Sequence, residues 1–278
     1  MSKPDHPAIT TLQHIKALFC GRTLQDASRT WRAAPHISES FIDALKAEWA
    51  HIRNTKIDKN FQSRNAKREA LNMSFTVEGI EVYPKLYTRN DCKNALLHTV
   101  FFPEARRNFC TMCYLQEHGL LTTEPLALLS GNRLYPQHET VLFTRKLDDN
   151  AIHFYAFRKI LAGMEQPKRA AFFMEFGKKM AQLHNLGIYT EDTDKNISVI
   201  LTEGTYDLYF YDFDNFYPWR VPNAKRMMHA VLHSLFCPHY TATLEEARIF
   251  VQTYTTVRQY PELKAVFMAA IEAKLAAI

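Results

Sequence analysis

The sequence predicts an α+β fold in which strands and helices are segregated along the chain. A helical extension is expected over 1–65, a small, mainly β part over 66–147 and a larger helical part over 148–278. Three observations predict this. Polar and apolar residues alternate from about residue 72, the period of a strand. Apolar residues return every three or four positions over 168–186, and residues 222–278 also read as helical. The first sixty residues carry helical spacing.

Taken in order, Thr11 to Phe19 is a short amphipathic stretch ended by Gly21. Ser38 and Ser40 are N-cap candidates for a helix through Phe41, Leu45, Trp49 and Ile52. Met73-Ser74-Phe75-Thr76-Val77 alternates, Gly79 marks a turn, and Ile80 to Tyr87 alternates again, so the pair reads as a hairpin with Lys85 near its end. Pro103 opens a helix with Ala105, Phe109, Met112 and Leu115 on one face, and Gly119 closes it. Strands follow around Pro125–Leu129 and Thr140–Thr144. Lys168 to Leu186 is a helix with Phe173, Phe176, Met180 and Leu183 on one stripe, stopped by Gly187. A polar loop, Thr190–Asn196, leads to strands over Ile197–Leu201 and Tyr206–Tyr211.

The chain has 278 residues, 47% hydrophobic and 23% charged, enough for one large core or two modest ones. No run approaches the ~18 apolar residues of a membrane span. Met1-Ser2-Lys3-Pro4-Asp5-His6 lacks the apolar run of an export signal, so the cytoplasm is expected, with contact at the inner face of the inner membrane left open. A net charge of +5 suits an anionic substrate or membrane face as well as an ordinary solvated surface. No Lys/Arg stripe is interleaved with aromatics, so nucleic acid is not an expected partner. Five cysteines in such a chain read as reduced thiols. Cys110 and Cys113 could complete a zinc set with His233 and Cys237, but on an amphipathic helix they read first as buried core thiols.

The segment that carries chemistry runs from Leu183-His184 through Gly187 to Thr190-Glu191-Asp192-Thr193-Asp194-Lys195-Asn196. Tyr211-Asp212-Phe213-Asp214 follows it. A helix, an acidic loop ending in Asn, a hairpin and an Asp at the hairpin's end suit phosphoryl transfer. One carboxylate must take the proton of an acceptor hydroxyl. An amide oxygen and a second carboxylate must hold magnesium against nucleotide phosphates.

This set resembles the catalytic loop and metal-binding Asp of the protein-kinase-like superfamily. It is most similar to the bacterial Kdo and heptose kinases of the lipopolysaccharide core, over about residues 65–235. The resemblance implies a two-lobed kinase-like fold that uses ATP and Mg2+ on a small-molecule or glycolipid substrate. It implies Lys85 as the lysine that holds the phosphates, with Glu104 as its partner. It also implies Asp192 as catalytic acid/base, Asn196 as catalytic-loop magnesium ligand, Asp212 as main metal carboxylate and Asp214 as a further ligand. Arg145-Lys146-Leu147 would begin the hinge, with Lys146 among the nucleotide-binding residues.

The chain departs from the family pattern at four places. Thr190 stands where the family's His-x-Asp has His. Asp192 precedes Asn196 by four positions where five is usual, which leaves Glu191 and Asp194 as alternative bases. No Gly-rich loop precedes Lys85. Asn108 stands where many members carry the lysine's Glu, and Glu104 lies one turn earlier. Singly, each residue has an ordinary reading: a solvated acidic turn, an edge lysine, a strand-ending Asp, a satisfied helix-end His184. Two further functions therefore stand beside the sugar kinase: another small-molecule kinase of the superfamily, and a pseudokinase serving as a binding protein.

Overall fold

A computed structural model of the chain describes residues 21–26, 29–53, 74–87, 104–131, 140–189, 196–213, 224–237 and 240–277. The expected helix over Thr11–Phe19 and the acidic loop Thr190–Lys195 lie outside them. The chain divides into two compact units. One holds the described residues of Lys16–Gln116 and Thr123–Leu147, the other those of Glu117–Thr122 and Asp148–Ile278.

The first unit is built on a six-stranded antiparallel sheet. In chain order its strands are β1 (Arg22–Asp26), β2 (Arg29–Ala33), β3 (Phe75–Val77), β4 (Ile80–Tyr87), β5 (Pro125–Gly131) and β6 (Thr140–Arg145); in space the order is β1-β2-β5-β6-β4-β3. Its helices are α1 (Glu39–Ile52) and α2 (Glu104–Glu117). The β3–β4 hairpin closes through Glu78-Gly79, both at positive φ (47° and 79°), the tight turn whose twist matches the strands.

The expectation of a helical extension over 1–65 is corrected here. Arg22–Asp26 and Arg29–Ala33 pair as antiparallel strands β1 and β2, and β2 pairs with β5 from Arg29↔Gly131 to Ala33↔Ala127. Each strand has only five residues, too few for alternation to stand out, and its partner lies far along the chain. Helix α1 does follow the sequence pattern, with the Ser38 side chain accepting from the Phe41 amide at 3.1 Å.

Register places Trp31, Leu129 and Val141 in one row across the sheet, and Ala127, Phe143 and Pro84 in the next, on the same face. The Phe143 ring stacks on Trp31 at 5.5 Å and meets the edge of Trp49 from α1 at 5.2 Å. All three rings are buried, and such burial is worth about 1.5–3 kcal/mol for a large apolar side chain. The opposite face carries Lys85 and Tyr87, and there α2 is tied on by Asn108.

The second unit carries β7 (Ile152–His153), β8 (Ile197–Thr202) and β9 (Thr205–Phe210) as an antiparallel sheet. Thr122 adds a parallel bridge to Phe210. Its helices are α3 (Phe154–Ala162), α4 (Gln166–Asn185), α5 (Ala224–Leu235), α6 (Leu244–Arg258) and α7 (Glu262–Ala276), with a two-residue pair β10 (Phe236–Cys237) and β11 (Tyr240–Thr241) before α6. The core is aromatic: Phe154, Phe172 and Phe176 meet one another, and Phe176 meets Phe250 of α6 at 5.3 Å. Helices α4 and α6 approach so closely at Gly177 that a Cβ there would lie 2.6 Å from the Phe250 carbonyl oxygen. Thr243 and Glu246 form a reciprocal cap at the start of α6. Buried Glu246 also accepts from Arg169 Nε at 2.7 Å and Tyr240 at 2.8 Å. These hydrogen bonds outweigh the burial that opposes them and hold the Glu246 carboxyl below its ordinary range.

Candidate active site

The β8–β9 hairpin brings the two sequence-predicted ligands of the second unit together. Ile197 pairs with Phe210, so Asn196 precedes one strand where Tyr211 and Asp212 leave the other. The Tyr211 amide donates to the Asn196 carbonyl at 3.0 Å, and Asn196 Nδ2 donates to the Asp212 carbonyl at 3.0 Å. Asp212 adopts φ = 60°, a left-handed conformation that Asp tolerates better than most residues and that breaks the strand direction there. Phe213, next in the chain, is fully buried and anchors the turn.

With Nδ2 spent on the main chain, Asn196 Oδ1 is the amide atom available to a cation. An amide oxygen and a carboxylate are donor types that magnesium takes, so the residue types present fit that ion. Asp214, Asp192, Glu191 and Asp194 lie outside the described residues. Among the described residues no cluster of three His, Cys, Asp or Glu side chains forms a metal site. Cys110 and Cys113 are buried thiols on α2.

Two residues beside this pair were not singled out in the sequence. Ser198 Oγ and the Tyr211 hydroxyl are 3.1 Å apart and tie the two strands together next to Asn196 and Asp212. Burial pushes the Tyr211 phenol up; the Ser198 bond opposes this and the Asp212 charge adds to it. The His153 ring lies 6.5 Å from that of Tyr211, centre to centre. Strand alternation was the available signal, because Tyr209 and Tyr211 share a face and Ser198 pairs with Tyr209.

His184 takes its structural reading. It is buried at the end of α4, with Nδ1 2.6 Å from the Tyr254 hydroxyl of α6. Burial first, and the nearby Arg258 charge second, lower its pKa to about 3.

In the first unit, Lys85 stands on β4 with its ammonium 4.9 Å from the centre of the Tyr87 ring. The Tyr87 hydroxyl accepts from Asn108 Nδ2 at 2.8 Å. Glu104 begins α2, and no ion pair involves it among the described residues. Lys146 pairs with Glu81 at 3.0 Å, and its amide donates to the Glu81 carbonyl at 2.9 Å. Arg145 is engaged by Glu124. Lys85 and Tyr87, two positions apart, thus share one face of β4.

Against known proteins, the comparison divides sharply between sequence and structure. No protein-family model and no curated protein matches the chain. Solved structures do, at the level of the fold. One, described as WaaP in complex with acyl carrier protein, superposes with a TM-score of 0.52 over 73% of this chain and 82% of its own, at 14% identity. The chain therefore has the fold of WaaP. Among the described residues, no helix is long and apolar enough to cross a membrane.

Proposed function

We propose that the chain is an ATP- and magnesium-dependent phosphotransferase that acts on a sugar hydroxyl of the lipopolysaccharide inner core, at the cytoplasmic face of the inner membrane. The observation that carries this reading is the approach of Asn196 to Asp212 at the end of one hairpin. Its setting supports it: the fold is shared with the structure described as WaaP in complex with acyl carrier protein. The sequence resemblance to the Kdo and heptose kinases points to the same substrate class.

In this reading Asn196 and Asp212 hold magnesium, with Asp214 as a further ligand. The ion, when bound, offsets charge on the nucleotide phosphates. Lys85 holds those phosphates as a cation on a flexible stem. Asp192 orients the acceptor hydroxyl and takes its proton, with Glu191 and Asp194 as the alternatives. Lys146 is engaged by Glu81, and the reading does not require it at the nucleotide.

The test is nucleotide binding and turnover by the purified chain with and without magnesium, against a panel of core sugars. Asp212→Ala is expected to abolish magnesium-dependent ATP binding. Normal turnover by that variant would overturn the assignment.

One observation favours a second reading, a nucleotide-binding pseudokinase. Asn108, where many family members carry an ionised partner for the lysine, gives its amide to a tyrosine. Magnesium-dependent ATP binding with no phosphorylated acceptor in the panel would favour that reading.

A further inference from the structure

Asn196 and Asp212 lie on a closed path of contacts. From Asn196 the chain runs through Ile197 to Ser198 on β8. The Ser198 Oγ and the Tyr211 hydroxyl are 3.1 Å apart, a hydrogen bond across the hairpin. Tyr211 leads directly to Asp212, whose carbonyl accepts from Asn196 Nδ2 at 3.0 Å and returns the path to its start. The strand ladder stops short of this end. It runs from Thr202↔Thr205 to Ile197↔Phe210, and the Tyr211 amide adds its bond to the Asn196 carbonyl. At Asp212 the chain turns to φ = 60° and leaves the ladder. Two side-chain bonds, Ser198 to Tyr211 and Asn196 to the Asp212 carbonyl, span the strand ends there. Ser198 is buried, so water competes little for its bond to the phenol.

We infer that Tyr211, bonded to Ser198, is a positioning residue for the metal ligands: it sets how rigidly Asn196 and Asp212 are presented, and with that the preference of the site for magnesium over a larger cation. The inference rests on the metal assignment given under the proposed function. Magnesium demands near-octahedral geometry with bonds of about 2.0–2.1 Å, whereas calcium accepts bonds of about 2.3–2.6 Å in flexible arrangements. A ligand pair that is free to splay therefore loses the small ion first. Tyr211→Phe keeps the ring and its packing and removes the bond. Ser198→Ala removes the same bond from the other side.

The test uses the full chain and reads its affinity for ATP with magnesium, for ATP with calcium, and for adenosine, which lacks the phosphates. Tyr211→Phe and Ser198→Ala should each weaken magnesium-ATP by roughly 5- to 20-fold, the span of one broken buried hydrogen bond. Calcium-ATP should change by no more than about 2-fold, and adenosine should not change. The double variant should cost no more than either single one, because both remove the same bond. If one variant does not fold, the other carries the test. A lower melting temperature with an unchanged ratio of the two metals makes the tyrosine merely structural and overturns the inference. An equal loss for all three ligands also overturns it, by placing the phenol against the nucleoside. Asp212→Ala separates the two readings. Normal magnesium-ATP binding by that variant overturns the metal assignment and this inference with it. Lost binding there, beside normal magnesium-ATP binding by Tyr211→Phe and Ser198→Ala, overturns the inference alone.

Discussion

Acidification should unfold this protein through His184. The ring is 2% exposed, wedged between α4 and α6 and bonded to the Tyr254 hydroxyl. It resists a proton because burial removes the water that would solvate the imidazolium and because Arg258 is already charged nearby. Its folded pKa of about 3 lies below the ~6.5 of an unfolded histidine. The unfolded chain therefore takes up the proton first as pH falls. The stability this group contributes is complete above ~6.5 and is lost as pH falls from there toward 3, at ~1.4 kcal/mol per unit. Between pH 7 and pH 5 the loss integrates to about 2 kcal/mol.

The assay is urea unfolding at both pH values for the wild type and for His184→Gln, which can still bond Tyr254 but does not titrate. The wild type should lose about 2 kcal/mol more than the variant over that interval. The comparison cancels the other histidines. It also stays above the range of Glu246, whose lowered pKa makes its contribution fade only as pH falls below ~4.5. Parallel pH dependence in the two proteins would refute the reasoning.

Two other outcomes are expected. Gly177→Ala should destabilise by ~1–3 kcal/mol, because the new Cβ meets the Phe250 backbone and the α4–α6 pair must separate; this exceeds the ~1 kcal/mol that alanine gains in helix propensity. Gly163→Ala, whose Cβ would approach nothing closer than 3.6 Å, should change the melting temperature little, and equal effects at both sites would refute the packing argument. In the acidic loop, Asp192→Asn should cut turnover by roughly 10²–10⁴-fold with little change in nucleotide affinity, while Glu191→Gln should be near normal; a dead Glu191→Gln beside an active Asp192→Asn would move the base to Glu191.

What the sequence reveals and what it hides follow from range. The β3–β4 hairpin, α2 and α4 are legible because a strand or helix writes its period into consecutive residues. The approach of Asn196 to Asp212 is legible for the same reason, since a short hairpin fixes its own register. The β1–β2 pair is not, because what makes it part of the sheet is β5, about a hundred residues later. The alternation of β4 likewise places Lys85 and Tyr87 on one face, while the Asn108 bond to the Tyr87 hydroxyl joins positions 21 apart, too far for a local period to show.

The pairing of Trp31 with Leu129 also governs how the protein comes into being. During synthesis β1, β2 and α1 leave the ribosome long before β5 and β6 exist. At the usual 5–20 residues per second, that delay is about 5–20 s. Until then Trp31 and Trp49 lack Phe143, the ring both will pack against, and β2 has no inner neighbour. The sheet closes only by a long-range encounter, the slow kind of folding step. For those seconds the nascent chain offers two tryptophans and an open strand edge, which is the surface that chaperones bind and that aggregation begins from.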